Sequence, residues 1–268
     1  MLSIWILVFF SILTTAVYRI IATQLKLSRV LEERAVCPYL AKAACLYAWA
    51  EKQNDKTPYD SLAELKQLRQ RTMGNVKFTY TQIDEESKIN INTASSEILS
   101  RLPGLSLELA QKIQASPLRP FALKEELLFI EDLTEKEFAE FKDFVTVYGN
   151  GSVNINTAPE QVFIALGMDE NLAQGIVGFR NGNDGKQGTE DDQAFESTAE
   201  IVDKLRSALS FSGDEEATLV GLISQNLLTV SSKNLLLEVQ TQILNKAAIR
   251  YLITMDVDKG KIKQWNEY

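Results

Sequence analysis

The 268-residue chain contains no histidine, which excludes Ser-His-Asp and Cys-His catalysis, the HExxH zinc motif and every His-ligated metal. Cysteine is scarce too: Cys37 and Cys45 are the two present, eight positions apart in a segment patterned as one helix. At that spacing they lie roughly 12 Å apart along the axis, beyond the reach of a disulfide. They read as small buried apolar residues. Positive charge is also short, with 28 Lys plus Arg against 36 Asp plus Glu and a net charge of −8. Phosphate neutralisation supplies most non-specific affinity for nucleic acid, so the expectation is no nucleic-acid partner.

The N-terminal segment lacks charge altogether. Met1 to Val17 reads MLSIWILVFFSILTTAV, and a second apolar piece, IIA, follows Arg19. A run of this length is near the lower limit for a membrane-spanning helix. A secretory signal would need a basic start and a small-x-small cleavage site, and neither is present. A core helix at a chain end would not be apolar on every face. Residues 1–24 are therefore expected to be a retained membrane anchor. The helical pattern continues from Leu25 to Gln53, with Leu27, Leu31, Ala35, Leu40, Ala44 and Tyr47 as one apolar stripe and Pro38 as a kink or joint.

Downstream, Asn54 to Asp60 is a turn cluster, and Ser61 with Glu64 looks like a capping box opening a helix over Ser61 to Arg71. Val76, Phe78 and Tyr80 alternate with polar residues as a half-buried strand, and further strands are expected at Leu227, Asn234 and Ala248, with a tight turn at Asp258 to Gly260 before IKQWNEY. Strands on either side of a helical middle imply an α+β protein: one antiparallel sheet packed on the long N-terminal helix, with an all-α insertion. The boundaries read as 25–89 for the amphipathic helix and first strands, 90–226 for the insertion and 227–268 for the closing strands.

The pentapeptide NINTA occurs twice, at Asn90 to Ala94 and Asn154 to Ala158. In each copy the threonine, Thr93 or Thr157, is placed to cap a helix supported by Glu97 or Glu160. Each is followed by helix, tight turn and helix, the turns falling at Pro103-Gly104 and Gly167. This helix-hairpin-helix pattern is often used to meet duplex phosphates. The charge opposes that use: Asn90 to Tyr148 carries six basic against ten acidic residues, and Val153 to Gln225 four against thirteen. Lys112 and Arg180 are nearly all that the hairpin helices offer a phosphate, so a repeated packing unit is the better reading.

FRNGNDGKQGTEDDQAFES, Phe179 to Ser197, combines three glycines with Asn183, Asp184, Glu190, Asp191 and Asp192. Flexible backbone with many hard oxygen donors suits Ca²⁺, and adjacent carboxylates repel unless neutralised. The EF-hand spacing is not met. Those five residues are the expected calcium ligands.

Taken in order, the apolar helix running into an amphipathic one, IDEESKININTA (Ile83 to Ala94), VYGNGSVNINTA (Val147 to Ala158), the acidic loop ending TEDDQAF and the closing IKQWNEY resemble the K-type minor pseudopilins of bacterial type II secretion systems. The resemblance implies a pilin-like fold with a helical insertion, a place at the tip of a periplasmic pseudopilus in complex with two other minor pseudopilins, contact with exported proteins, a single pass through the inner membrane and bound calcium. It implies no catalysis. It also implies a basic leader ending in glycine; none precedes the apolar run, so Met1 is expected to be an internal start. Arg19, Lys26 and Arg29 follow the run, so orientation rests on the resemblance and not on flanking charge. A membrane-anchored DNA receptor of the competence type is the alternative. Acidic repeats and terminal strands count against it.

Overall fold

The computed structural model describes residues 2–209, 212–243 and 246–268; Met1, assigned by sequence to the anchor, lies outside them. Helix α1 runs unbroken over Leu2–Asn54. No glycine occurs before Gly74, so nothing in the segment carries glycine's backbone freedom. Pro38 does not end the helix. It stands instead where α1 enters the globular part: burial begins at Cys37, the residue just before it, and continues through Leu40, Ala41, Ala44, Cys45 and Ala48.

This corrects the expected stripe. Leu40 and Ala44 are buried, whereas Leu27, Leu31 and Ala35 are exposed and Tyr47 is 41% exposed. The sheet reaches α1 only as far as Lys246, which binds the Arg29 carbonyl and the Glu32 carboxylate. Ahead of that clamp the helix is bare. It is long and apolar enough to cross a membrane, and none of its most apolar window is buried.

The helix α2 (Leu62–Leu65) is a single turn capped by Ser61. It is not the longer helix expected, because Gly74-Asn75 forms a two-residue hairpin that draws Arg69–Met73 into β1 against β2 (Val76–Asp84). With β7 (Asn234–Ile243), β8 (Ile249–Asp256) and β9 (Lys261–Glu267) these make an antiparallel sheet in the order β1-β2-β7-β8-β9. Its inner face sets Phe78, Tyr80, Leu237, Val239, Tyr251 and Ile253 against α1. Five of the six buried α1 residues are Ala or Cys, which brings the helix close to the strands. Both cysteines are free and buried, and burial pushes the Cys45 thiol up to about 12.

Between β2 and β7 the chain leaves the sheet and forms a helical body with its own core. Its first half contains β3 (Ile89–Asn90), α3 (Ser96–Leu99), α4 (Leu107–Ala115), α5 (Glu135–Phe141) and β4 (Val145–Thr146). The second contains β5 (Val153–Asn154), α6 (Glu160–Ala165), α7 (Glu170–Arg180), α8 (Ile201–Ala208), α9 (Gly213–Ser224) and β6 (Leu228–Thr229). The expected strand at Leu227 is thus β6, which joins no large sheet. It pairs in parallel with β5, as β4 pairs with β3.

Candidate functional site

The two NINTA segments share one turn and one clamp. The first asparagine folds its side chain back onto the next-but-one amide: Asn90 Oδ1 accepts from Asn92 N at 2.8 Å, and Asn154 Oδ1 from Asn156 N at 3.0 Å. These are Asx turns. The second asparagine reaches across its repeat and holds one phenylalanine by both backbone groups. Asn92 Nδ2 donates to Phe121 O at 2.9 Å while Phe121 N donates to Asn92 Oδ1 at 2.7 Å. Asn156 does the same to Phe195, at 2.9 and 2.8 Å. The threonines are not caps, because the turn delays each helix by two residues. Ser95 caps α3 and Pro159 stands at the start of α6, while Thr93 bonds the Asn90 carbonyl and Thr157 bonds Asp84.

The hairpin turns are closed from within. Gly104 and Gly167 adopt φ of 71° and 99°, and a Cβ at either would lie 2.5 Å from Glu140 Oε2 or 2.9 Å from Arg101 Nη1. The first turn thus has a carboxylate against its glycine, and the second a guanidinium. The two basic residues of the hairpin helices are engaged as well: Lys112 pairs with Asp132 and Glu108, and Arg180 is buried with Nη1 on the Ile155 carbonyl.

In the acidic loop, Asp191 Oδ2 accepts the amides of Asn183 and Asp184 at 2.7 and 3.0 Å, and Asp192 accepts those of Gly188 and Thr189 at 2.7 and 3.2 Å. The Thr189 hydroxyl meets Asp184, Asp191 and Asp192 together, at 3.4, 2.8 and 3.1 Å. The Thr189 hydroxyl and the amides hold the Asp191 carboxyl below its usual range. Repulsion between neighbours is thus offset by the loop's own N–H groups. Glu190 is exposed, and Asn183 contributes its backbone amide. The donors are hard oxygens suited to calcium, with three carboxylates gathered on one hydroxyl. Among the described residues the one trio of carboxylates with oxygens mutually within 4.8 Å lies elsewhere, at Asp55, Asp60 and Glu64, and there the Lys52 ammonium pairs with Asp60 at 2.5 Å.

The residues that sequence reasoning missed are Asp84 and Glu86. An acidic run ordinarily marks a solvated surface, yet Asp84, Glu85 and Glu86 are all buried. A signal was available: Phe78, Tyr80, Gln82 and Asp84 share one parity and all point inward from β2. Asp84 Oδ2 accepts from Asn154 Nδ2 at 2.9 Å and from the hydroxyls of Thr157 and Ser232. Glu86 accepts from Asn234 N and Nδ2 at 2.9 and 2.6 Å and from Lys233 N at 3.2 Å. Burial, reinforced by Asp60, pushes the Asp84 carboxyl up to about 6 against its hydroxyl and amide donors. Burial and then the Asp84 charge push Glu86 up to about 7.

A family model described as a helix-hairpin-helix motif matches residues 84–146, the first repeat with its acidic lead-in. No curated protein matches the chain in sequence. Among solved structures, a chain of the GspK-GspI-GspJ complex from the type 2 secretion system of enterotoxigenic Escherichia coli is similar, with a TM-score of 0.55 and 17% identity over 91% of this chain and 96% of that one. The fold is accordingly pilin-like, a long N-terminal helix on an antiparallel sheet with a helix-hairpin-helix region set into it.

Proposed function

We propose that this protein is a K-type minor pseudopilin, a structural and interaction subunit and not an enzyme. It stands at the tip of a type II secretion pseudopilus, joined to other minor pseudopilins, and supports pseudopilus initiation and export. Residues 1–24 hold it in the bacterial inner membrane, with the globular part in the periplasm. The observation that carries the reading is a likeness extending over nearly the whole of both chains, helical insertion included. Deleting the gene is expected to abolish export of type II substrates, and the full chain supplied in trans to restore it; unimpaired export would contradict the role.

A DNA receptor is disfavoured by Glu140 over the Gly104 turn and by the engagement of Lys112 and Arg180. Labelled duplex DNA at low salt is expected to show no binding to the full chain in detergent at about 10 μM, a threshold of roughly −7 kcal/mol. Tight, salt-sensitive binding would reverse the choice.

Calcium belongs to the same proposal, with Asp184, Asp191 and Asp192 as the central ligands and Asn183 and Glu190 beside them. Bound there, the ion supplies charge neutralisation and pins a loop that now depends on its own amides. Calcium at a hundredfold excess over its Kd is expected to stabilise the fold by about 2.7 kcal/mol. Asp191→Asn should remove most of that gain in a thermal melt. A melt indifferent to calcium would dismiss the site.

A further inference from the structure

The helical body and the sheet have separate apolar cores, so the seam that fixes one on the other is polar. Three buried carboxylates grip three consecutive residues, Ser232 to Asn234, where the chain enters β7. Asp60 takes Ser232 N at 2.7 Å, Asp84 takes the Ser232 hydroxyl, and Glu86 takes the amides of Lys233 and Asn234. The second NINTA closes on the same centre, because Asn154 Nδ2 and the Thr157 hydroxyl both donate to Asp84.

The surrounding cations serve groups other than Asp84 and Glu86, and of the three seam carboxylates only Asp60 has one. From α1, Lys52 pairs with Asp60. Lys88 pairs with Glu85, which also accepts from Thr146. From β9, Lys263 meets the Asn234 side chain and Asp256 of β8, and Lys233 turns outward towards Asp258. Asp55 and Glu64 add negative charge on the α1–α2 side. Among the described residues no lysine or arginine forms an ion pair with Asp84 or Glu86. Two adjacent carboxylates, shut away from water without a counter-ion, favour taking up protons. Separating the body from the sheet would return both to water and to ordinary titration.

We propose that this seam is a proton-controlled hinge, with the helical body held on the sheet more firmly in mildly acid than in mildly alkaline solution. The sign follows from linkage. The docked form titrates near 6 at Asp84 and 7 at Glu86, above the ordinary 3.8 and 4.5. Docking is therefore at full strength below the ordinary values, weakens as pH rises through the raised ones, and stays at a lower plateau beyond.

Hydrogen exchange on the full chain in detergent, corrected for intrinsic rates, tests this. Between about pH 5 and about pH 8 the amides of Lys233 and Asn234 are expected to lose protection about tenfold or more relative to Leu237 and Ile253 in the sheet, each unit of displaced titration being a factor of ten. The Asp84→Asn, Glu86→Gln double variant should show a flat response. Equal pH dependence at seam and sheet in the unaltered protein, or an undiminished response in the double variant, would overturn the hinge; should the variant not fold, the unaltered protein decides alone.

Discussion

Asn156→Ala is expected to cost about 2–6 kcal/mol of stability, because it strands two buried backbone groups at about 1–3 kcal/mol each. Asn156 is 2% exposed and Phe195, whose N–H and carbonyl it holds, is fully buried. Alanine supplies neither donor nor acceptor, and water has no route to replace them. The equivalent Asn92→Ala should cost less, about 1–2 kcal/mol, because Asn92 itself is only half-buried where Asn156 is buried. Urea unfolding of the two variants measures the difference. Equal small losses, below about 0.5 kcal/mol, would mean that the clamp does not hold the repeats together.

Gly182→Ala is expected to dismantle the acidic loop, while Gly185→Ala leaves it nearly intact. Both glycines have left-handed φ, 61° and 69°, and a side chain at either costs about 1–2 kcal/mol on that account. They differ in what a Cβ would meet. At Gly182 it would lie 2.2 Å from the Asp191 backbone oxygen and 2.7 Å from Asp191 Oδ2, whereas at Gly185 nothing lies within 4 Å. A backbone atom cannot swing aside as a side-chain tip can, so the turn that aims Asp191 at the amides of Asn183 and Asp184 must open. Proteolysis between residues 182 and 192 should be markedly faster in Gly182→Ala than in Gly185→Ala, with calcium stabilisation lost in the former only. Indistinguishable cleavage would show that the loop does not depend on this turn.

The two NINTA segments made the duplication visible in the sequence, and the alternation of Val76, Phe78 and Tyr80 marked β2. Neither disclosed what the motif does. The partners of its second asparagine lie 29 and 39 residues downstream, and no local pattern reports a pairing at those distances. The mistaken threonine caps have a nearby cause. Thr157 has Glu160 three residues on and Thr93 has Glu97 four on, close to the capping rule, but the Asx turn consumes the residues a cap would need, and Asp84 claims the Thr157 hydroxyl. The segment Arg69 to Met73 has helix-compatible residues and became a strand because Gly74-Asn75 turned it back on β2. Burial of the acidic run follows from tertiary closure. Asp84 is shielded only once Asn154, Thr157 and Ser232, from two distant segments, have come together over it.

The central claim concerns assembly, and the most direct measurement is the mass of what forms. Co-expressed with the other minor pseudopilins of its own secretion system and resolved by size-exclusion chromatography with light scattering, the chain is expected to elute in one complex with two of them. Complex formation at about 1 μM, corresponding to roughly −8 kcal/mol, is the predicted result. Elution of this chain alone at that concentration, with the other subunits present and folded, would contradict the account.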